Sequence, residues 1–226
     1  MPIASDALQR QGVLGQFHSP EAGEIVKRPD GPDRTWTPLD AVEGVFRSAA
    51  LQGGYLFSTY HSNSAQTLIL QAQGHNLVYV NGEVRVGDPY STGYVSLPVP
   101  ILEGENHFLF QIGRGSLKAR LLTPRARATI EPADTTLPDL VVGVPSQGLG
   151  AVLIANASET ALENAVLSAQ IGRGPSVETA LPTLPPHSVR KVPFQFDSPA
   201  FPTIGKARLT LRLASTDDPS GALDST

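Results

Sequence analysis

Three sets of side chains in this sequence have types and spacings that could do chemistry. Glu103 and Glu105 stand two residues apart, as an acid/base pair would, but they flank Gly104 in a polar turn. Nothing apolar adjoins them to drive their pKa values apart, so a solvated turn is the simpler reading. The second set is Asp88, Tyr90 and Tyr94 in "GDPYSTGY", with Tyr60, His61 and Asn63 in "TYHSN". Aromatic faces beside polar groups are what stacks on a sugar ring and orients its hydroxyls, and the first group reads as a loop, where binding residues collect. The competing reading is structural: the tyrosine rings cap a sandwich and bond to backbone. The third set is Asp30 and Asp33 in "RPDGPDR" and Asp217-Asp218 near the end. These offer oxygens of the kind calcium takes, but neither run has the ligand count of an EF-hand loop, and no other cofactor is implied.

Catalytic signatures are missing. No G-x-S-x-G elbow, H-E-x-x-H, Walker loop or G-x-G-x-x-G occurs. His18, His61, His75, His107 and His187 never fall at metal-ligand spacing with a second histidine. Cysteine is absent, which removes disulfides, thiolate metal sites and a cysteine nucleophile. No catalytic residue can be named, and no enzyme activity is expected within this chain.

The elements that would position such residues are strands. Short alternating runs recur, broken by Gly, Pro, Asn and Asp at roughly 8–12 residue intervals, the all-β pattern. "LVYVNGEVRV" predicts a hairpin with Asn81-Gly82 in a type I′ turn. That turn sets Val80 opposite Glu83, Tyr79 opposite Val84, Val78 opposite Arg85 and Leu77 opposite Val86. Leu77, Tyr79, Val84 and Val86 then form the expected core face. Leu68, Leu70 and Ala72 line one face of "TLILQA", and Phe108, Phe110 and Ile112 one face of "NHFLFQI", after a turn at Glu103–Asn106. His107 falls on the opposite, surface side. Strands are also expected at 53–60, 92–99, 116–122 and within Trp36–Arg47, with Pro98 and Pro100 marking an edge.

A polar, proline-bearing stretch, 124–138, reads as a linker, dividing a first domain over 1–123 (its first 30 or so residues extended) from a second over 139–215. Six or seven strands are predicted there, from "PDLVVGV", "GAVLIAN", "NAVLSAQI", "SVETAL", "SVRKVPFQF" and "GKARLTLRLA". Val192, Phe194 and Phe196 share a face, as do Leu209, Leu211 and Leu213. The end, 216–226, is small and polar and reads as a disordered tail.

Composition narrows the classes. With 226 residues, net charge −4, 21 Gly and 20 Pro, the chain is turn-rich and globular, with no phosphate-binding charge. The basic stretch from Arg114 to Arg127 reads as a strand edge and linker, and no nucleic acid partner is implied. No apolar run is long enough to span a membrane. The start lacks a basic region followed by an apolar one, so the expectation is an extracellular or periplasmic chain whose leader has been removed.

The run "GGYLFSTY…LVYVNGE…LPVPILEGENHFLFQIGRG…ARLLTP" resembles galactose-binding-like jelly-roll domains. "PDLVVGV…LIANAS…LPTLPPHSVRKVPFQF" is similar to immunoglobulin-like domains. In this order the pair resembles the non-catalytic amino-terminal half of secreted bacterial serine hydrolases of the prolyl oligopeptidase-like or esterase kind. The resemblance implies an α/β-hydrolase partner domain and a chain that is a fragment of such an enzyme; it carries no catalytic residue onto this sequence. The expected function is an accessory β-sandwich module that positions or shields a hydrolase. The alternatives are a carbohydrate-binding module using the loop aromatics, with a glycan as partner, and a surface adhesion protein.

Overall fold

The computed structural model describes residues 6–14, 16–28, 31–216 and 222–226. Among the described residues it is all-β apart from one short helix and a 3-10 turn: a jelly-roll β-sandwich and an immunoglobulin-like β-sandwich. The jelly roll has two four-stranded sheets. One contains β4 (Tyr55–Ser62), β6 (His75–Val80), β7 (Glu83–Val86) and β9 (Gly104–Ile112), in the order β4-β9-β6-β7. The other contains β3 (Val45–Arg47), β5 (Gln66–Gln73), β8 (Ser96–Ile101) and β10 (Ser116–Leu122), in the order β3-β10-β5-β8. Pro98 and Pro100 lie on β8, an edge strand as expected, where a missing N–H breaks no ladder. A small hairpin, β1 (Ile25–Val26) with β2 (Arg34–Thr35), and a helix, α1 (Ala7–Val13), precede the sheets.

The Asn81-Gly82 turn forms as predicted, with φ of 50° and 87°, and all four predicted pairs are present. The buried face is the opposite one. Val78 and Val80 are buried, whereas Val84 and Val86 are 56% and 64% exposed. "LVYV" is apolar on both faces, so alternation alone could not choose between them. The N-terminal segment explains why Tyr79 is buried all the same: α1 lies over it, and a side chain at Gly12 would stand 3.0 Å from its ring. The first 30 residues are thus not simply extended; Asp6 caps α1 by accepting from the Leu8 and Gln9 amides.

Leu68, Leu70, Ala72, Phe108, Phe110 and Ile112 are buried as expected. Asn106 is not a turn residue. It sits in β9, fully buried, where its carbonyl accepts from Asn81 Nδ2 and Leu102 N, each at 2.8 Å. Its amide donates to the Leu102, Gly104 and Tyr60 carbonyls. One side chain therefore ties the β6–β7 turn to the turn before β9. Only Val45–Arg47 of the Trp36–Arg47 run is a strand, and β8 begins at Ser96.

The second sandwich pairs β11 (Ala128–Thr136), β12 (Ser146–Asn156) and β15 (Ser188–Ser198) in the order β11-β12-β15. Facing them are β13 (Ala165–Ile171), β14 (Ser176–Ala180), β16 (Leu209–Ser215) and β17 (Ala222–Ser225), in the order β14-β13-β16-β17. Two expectations fail here. The linker contains β11, because Ala128 and Ile130 are buried while a register shift between Glu131 and Thr136 accommodates the polar "PADT". The tail contains β17, which buries Leu223 and aims the Asp224 carboxylate at the Ile130 amide, 2.8 Å away. "PDLVVGV" forms an exposed turn, not a strand, with Gly143 at φ 77°.

Register in this sandwich is fixed by shape. Gly148 and Gly150 of β12 stand opposite Phe196 and Phe194 of β15. A Cβ at either glycine would come within 2.5 Å of the facing ring, so the rings lie across bare backbone. Val192, Phe194, Phe196, Leu211 and Leu213 anchor the core, with Leu209 packed at its margin. By its contacts the chain divides into two compact units. The first takes in everything to Gln66, then Gln71–Val95 and Ile101–Arg120; the second holds Thr67–Leu70, Ser96–Pro100 and Leu121–Thr226.

Replacing Asn106 with Ala removes the acceptor of the Asn81 side chain and the Leu102 amide and the donor to the Tyr60, Leu102 and Gly104 carbonyls, and is expected to cost about 2–3 kcal/mol of unfolding free energy in a urea titration. Glu105→Ala, which removes an exposed ion pair to His107, should cost less than about 1 kcal/mol. Equal effects would show that Asn106 does not organise these turns.

Candidate functional site

The sequence candidates do not form one site. Tyr60, His61 and Asn63 are exposed around the β4–β5 turn. Asp88, Tyr90 and Tyr94 lie by Gly74, whose amide donates to the Asp88 carbonyl at 3.0 Å, at the other end of β5. A strand of eight residues separates the groups by about 26 Å at ~3.3 Å per residue. The three tyrosines are not caps; the buried or half-buried rings are those of Tyr79 and Tyr55. Tyr90 stands 74% exposed, with the Arg114 guanidinium 5.6 Å from its ring centre.

Asp88 holds a loop instead of facing a ligand. Its Oδ1 accepts from the Thr92 amide and hydroxyl, both at 3.0 Å, and its Oδ2 from the Gly93 amide at 2.7 Å. Burial would push this carboxyl up, but those hydrogen bonds and nearby His75 outweigh it and hold the group below the usual carboxylate range. Asp33 accepts from the Arg28 amide, whereas Asp30 and Asp217-Asp218 lie outside the described residues. Among the described residues no group of three or more His, Asp or Glu side chains could hold a metal ion. No helix among them is long and apolar enough to cross a membrane.

A concavity the sequence reading missed lies in the first unit: a cavity of about 550 Å³ beside edge strand β4. Small-molecule sites typically occupy roughly 300–1,000 Å³. Its floor is Tyr55 to Ser58, and one wall is the 3-10 turn Ala49–Leu51 with Gly53 and Gly54. The opposite wall is the β1–β2 hairpin. Pairing of Val26 with Arg34 puts these two on one face, and the period of two adds Arg28 and Trp36; all four are half-buried and line the cavity. Trp36 is held on both sides, its amide donating to the Glu24 carbonyl at 2.9 Å and its carbonyl accepting from Gly23 at 2.8 Å.

Polar groups in this lining are fixed in place. Arg34 donates through Nη1 to the Ala50 carbonyl at 3.0 Å and through Nη2 to that of Gln52 at 3.4 Å. The Tyr55 hydroxyl donates to Asp6 Oδ2 at 2.7 Å and accepts from Gln111 at 3.2 Å. Burial, reinforced by that carboxylate, pushes the phenol up, so it stays protonated and serves as a donor. Among the described residues Asp6 is the only carboxylate in the lining, and its two oxygens are already engaged by Tyr55 and by the start of α1. Glycosidic bond cleavage ordinarily takes two carboxyl groups with separated pKa values. Among the described residues the lining thus sets an aromatic side chain and fixed hydrogen-bonding groups beside one carboxylate. The signal in the sequence was the chain's single Trp, set in the non-alternating "DRTWTPLD".

No protein-family model matches the chain, and no curated protein matches it. It superposes on solved structures of larger enzymes. One is a calcium-binding mutant of Bacteroides uniformis β-glucuronidase 2, with TM-score 0.42, 10% identity, and 76% of this chain and 25% of that one covered. A putative β-galactosidase from Bacteroides fragilis gives 0.43 at 14% identity over 87% and 36%. A GH2 β-galacturonidase from Eisenbergiella tayi gives 0.43 at 11% identity over 92% and 41%. This chain therefore spans 25–41% of the length of those three. They are glycosidases, not the serine hydrolases that the sequence resembles, and at these TM-scores they assign neither family nor activity to the chain.

His75 makes the loop end sensitive to acid. It is fully buried, edge-on to Phe110 at 5.4 Å, and neither ring nitrogen has a hydrogen-bond partner. Burial pushes its imidazole down to about 4, with Asp88 pulling weakly the other way. An unfolded imidazole titrates near ~6.5, so the unfolded chain takes up the proton first and stability falls as pH drops from there toward 4. The full loss is on the order of 3 kcal/mol. Urea midpoints of wild type and His75→Leu should diverge in slope across that window, the variant being flatter; parallel curves would refute the assignment.

Proposed function

We propose that the chain is a non-catalytic β-sandwich module whose first unit binds carbohydrate. The observation that carries this is the cavity beside β4, whose lining combines Trp36 with fixed hydrogen-bonding groups and, among the described residues, one carboxylate whose oxygens are engaged. A flat aromatic face with donors around it suits a pyranose, whose C–H faces stack while its rim of hydroxyls needs partners. The exposed Tyr90 and Tyr94 support a loop site less well, since Asp88 is engaged by its own loop. Glycans are met outside the cytoplasm, in keeping with an extracellular or periplasmic setting.

A second reading, a module that positions or shields a neighbouring hydrolase domain, is favoured by apolar side chains left in solvent on the second unit. Val141, Val142, Val144, Leu149 and Ile204 are all exposed there. Joined to a hydrolase domain, such a surface would raise the apparent melting temperature of both parts, and Val142→Asp would remove the gain; independent melting would refute it.

The first reading has a direct probe, because the single Trp lies in the cavity. Titrating the full chain with neutral and acidic mono- and oligosaccharides should shift Trp36 emission saturably. Trp36→Ala should weaken calorimetric binding by about 10-fold or more. Binding that survives Trp36→Ala but is lost in Tyr90→Ala would move the site to the loop, and no binding by any sugar would reject the proposal.

A further inference from the structure

We infer that the first unit carries a second binding surface, independent of the cavity: the outer face of its β3-β10-β5-β8 sheet, which fits an acidic polysaccharide lying along β10. The four strands of this sheet contain Arg47, Lys118 and Arg120 and no Asp or Glu, in a chain of net charge −4. The facing sheet, by contrast, carries Glu83 and Glu105.

Register gathers the cations on one side. Leu117 is buried in the sandwich, so alternation turns Ser116, Lys118 and Arg120 outward. Arg47 stands opposite Ser116 on β3 and shares that face, whereas its neighbour Phe46 lines the cavity. Arg120 reaches across to β5, donating through Nε and Nη2 to Gln71 Oε1 at 2.9 and 2.7 Å. Gln71 is thus on the same face, joined by Gln73 through the period of two. Arg47, Lys118 and Arg120 are all exposed, and among the described residues none has a carboxylate partner. Glu43, in the turn ahead of β3, makes no ion pair with them.

The Tyr90 loop borders one end of this face. Gly93 comes so near Gln73 that a Cβ there would stand 2.5 Å from the side-chain nitrogen. Arg114, in the turn leading into β10, lies over the Tyr90 ring. From Arg114 to Arg120 the strand runs about 20 Å at ~3.3 Å per residue, room for several sugar units in line. Cations on alternate residues of one strand stand about 7 Å apart. That spacing suits a chain with one carboxylate per sugar; duplex DNA presents a charge every ~1.7 Å and is held by neutralising many phosphates. The Gln71 and Gln73 amides set neutral hydrogen-bonding groups among the cations, as a chain of alternating charges and hydroxyls requires. Exposed ion pairs are individually weak, so affinity here comes from engaging several at once.

The test is calorimetry on the full chain at low salt, with alginate, its neutral propylene glycol ester and single-stranded DNA of matched length as probes. Alginate should bind at least about 10-fold more tightly than the ester, and sodium chloride should erase the difference. Arg47→Gln combined with Lys118→Gln should weaken alginate by about 5-fold or more at an unchanged melting temperature. Lys206→Gln with Arg208→Gln, which removes the same charge from an exposed stretch of the second unit, should change it less than about 2-fold. Trp36→Ala should leave alginate binding intact. Equal weakening by the two double variants would overturn the inference by reducing it to net charge, and tighter binding of the DNA would overturn it in favour of a nucleic-acid surface. Absence of alginate binding, or its loss in Trp36→Ala, would also overturn it and leave the cavity reading to its own test.

Discussion

The outer face of the β4-β9-β6-β7 sheet has to be covered, and most of the first unit follows from how that is done. Cross-strand pairing puts Phe57, Leu109, Tyr79 and Val84 in one row on this face, away from Val78, Phe108 and Phe110. Such a row is costly to leave in water, at about 25 cal/mol per Å² of apolar surface. The N-terminal segment covers it: α1 lies on Tyr79, Phe17 reaches Phe57 at 5.8 Å between ring centres, and Asp6 takes the Tyr55 hydroxyl. The cover stops short of β7, which leaves Val84 and Val86 in solvent. Beside β4 it stands off the sheet, and that gap is the cavity. The concavity here arises from imperfect packing of one layer on another, with the hairpin's inward face supplying Trp36 and two arginines.

Each sandwich also contains a buried asparagine that does the work of several backbone partners. Asn106 in the first and Asn156 in the second are both fully buried. The Asn156 amide donates to the Thr160, Leu184 and Pro185 carbonyls, and its carbonyl accepts from the Ser158 amide and hydroxyl. An NH₂ group has two hydrogens, so three acceptors share them, and those carbonyls also accept from the Ser158 hydroxyl, the Leu162 amide and the Ser188 hydroxyl. The loops at these ends are therefore held by side chains as well as by backbone pairing, as at the Leu162–Leu184 bridge.

Strand existence, pairing and turn chemistry were legible in the sequence because each is a local rule. Asn81-Gly82 demanded a type I′ turn, and the register followed from it. Face assignment was not legible for "LVYV", where both sides are apolar and the decision belongs to a helix some 60 residues earlier in the chain. β11 and β17 were hidden for a different reason. Each pairs with its neighbour in sequence, β12 and β16, but the polar residues that disguised them, Glu131 to Thr136 and Asp224, are a register shift and an acceptor for the Ile130 amide. The candidate site escaped because alternation and loop aromatics point at Tyr90 and Tyr94. The cavity, by contrast, needs segments around Asp6, Arg34, Ala50 and Tyr55 that only the fold brings together. Asp88, a candidate from its neighbours, also holds its own loop through Thr92 and Gly93.

The account stands on the N-terminal hairpin and helix being docked on that sheet in the free protein. Amide hydrogen exchange on the full chain measures this directly. The Gly23 and Trp36 amides, bonded across the hairpin, and the Leu14 amide at the end of α1 should be protected by about 100-fold or more over an unstructured peptide, corresponding to ~3 kcal/mol of opening free energy. Exchange of these amides at unstructured rates, with β4 and β9 still protected, would mean that no wall faces Tyr55 to Ser58, and the cavity with its proposed ligand would go with it.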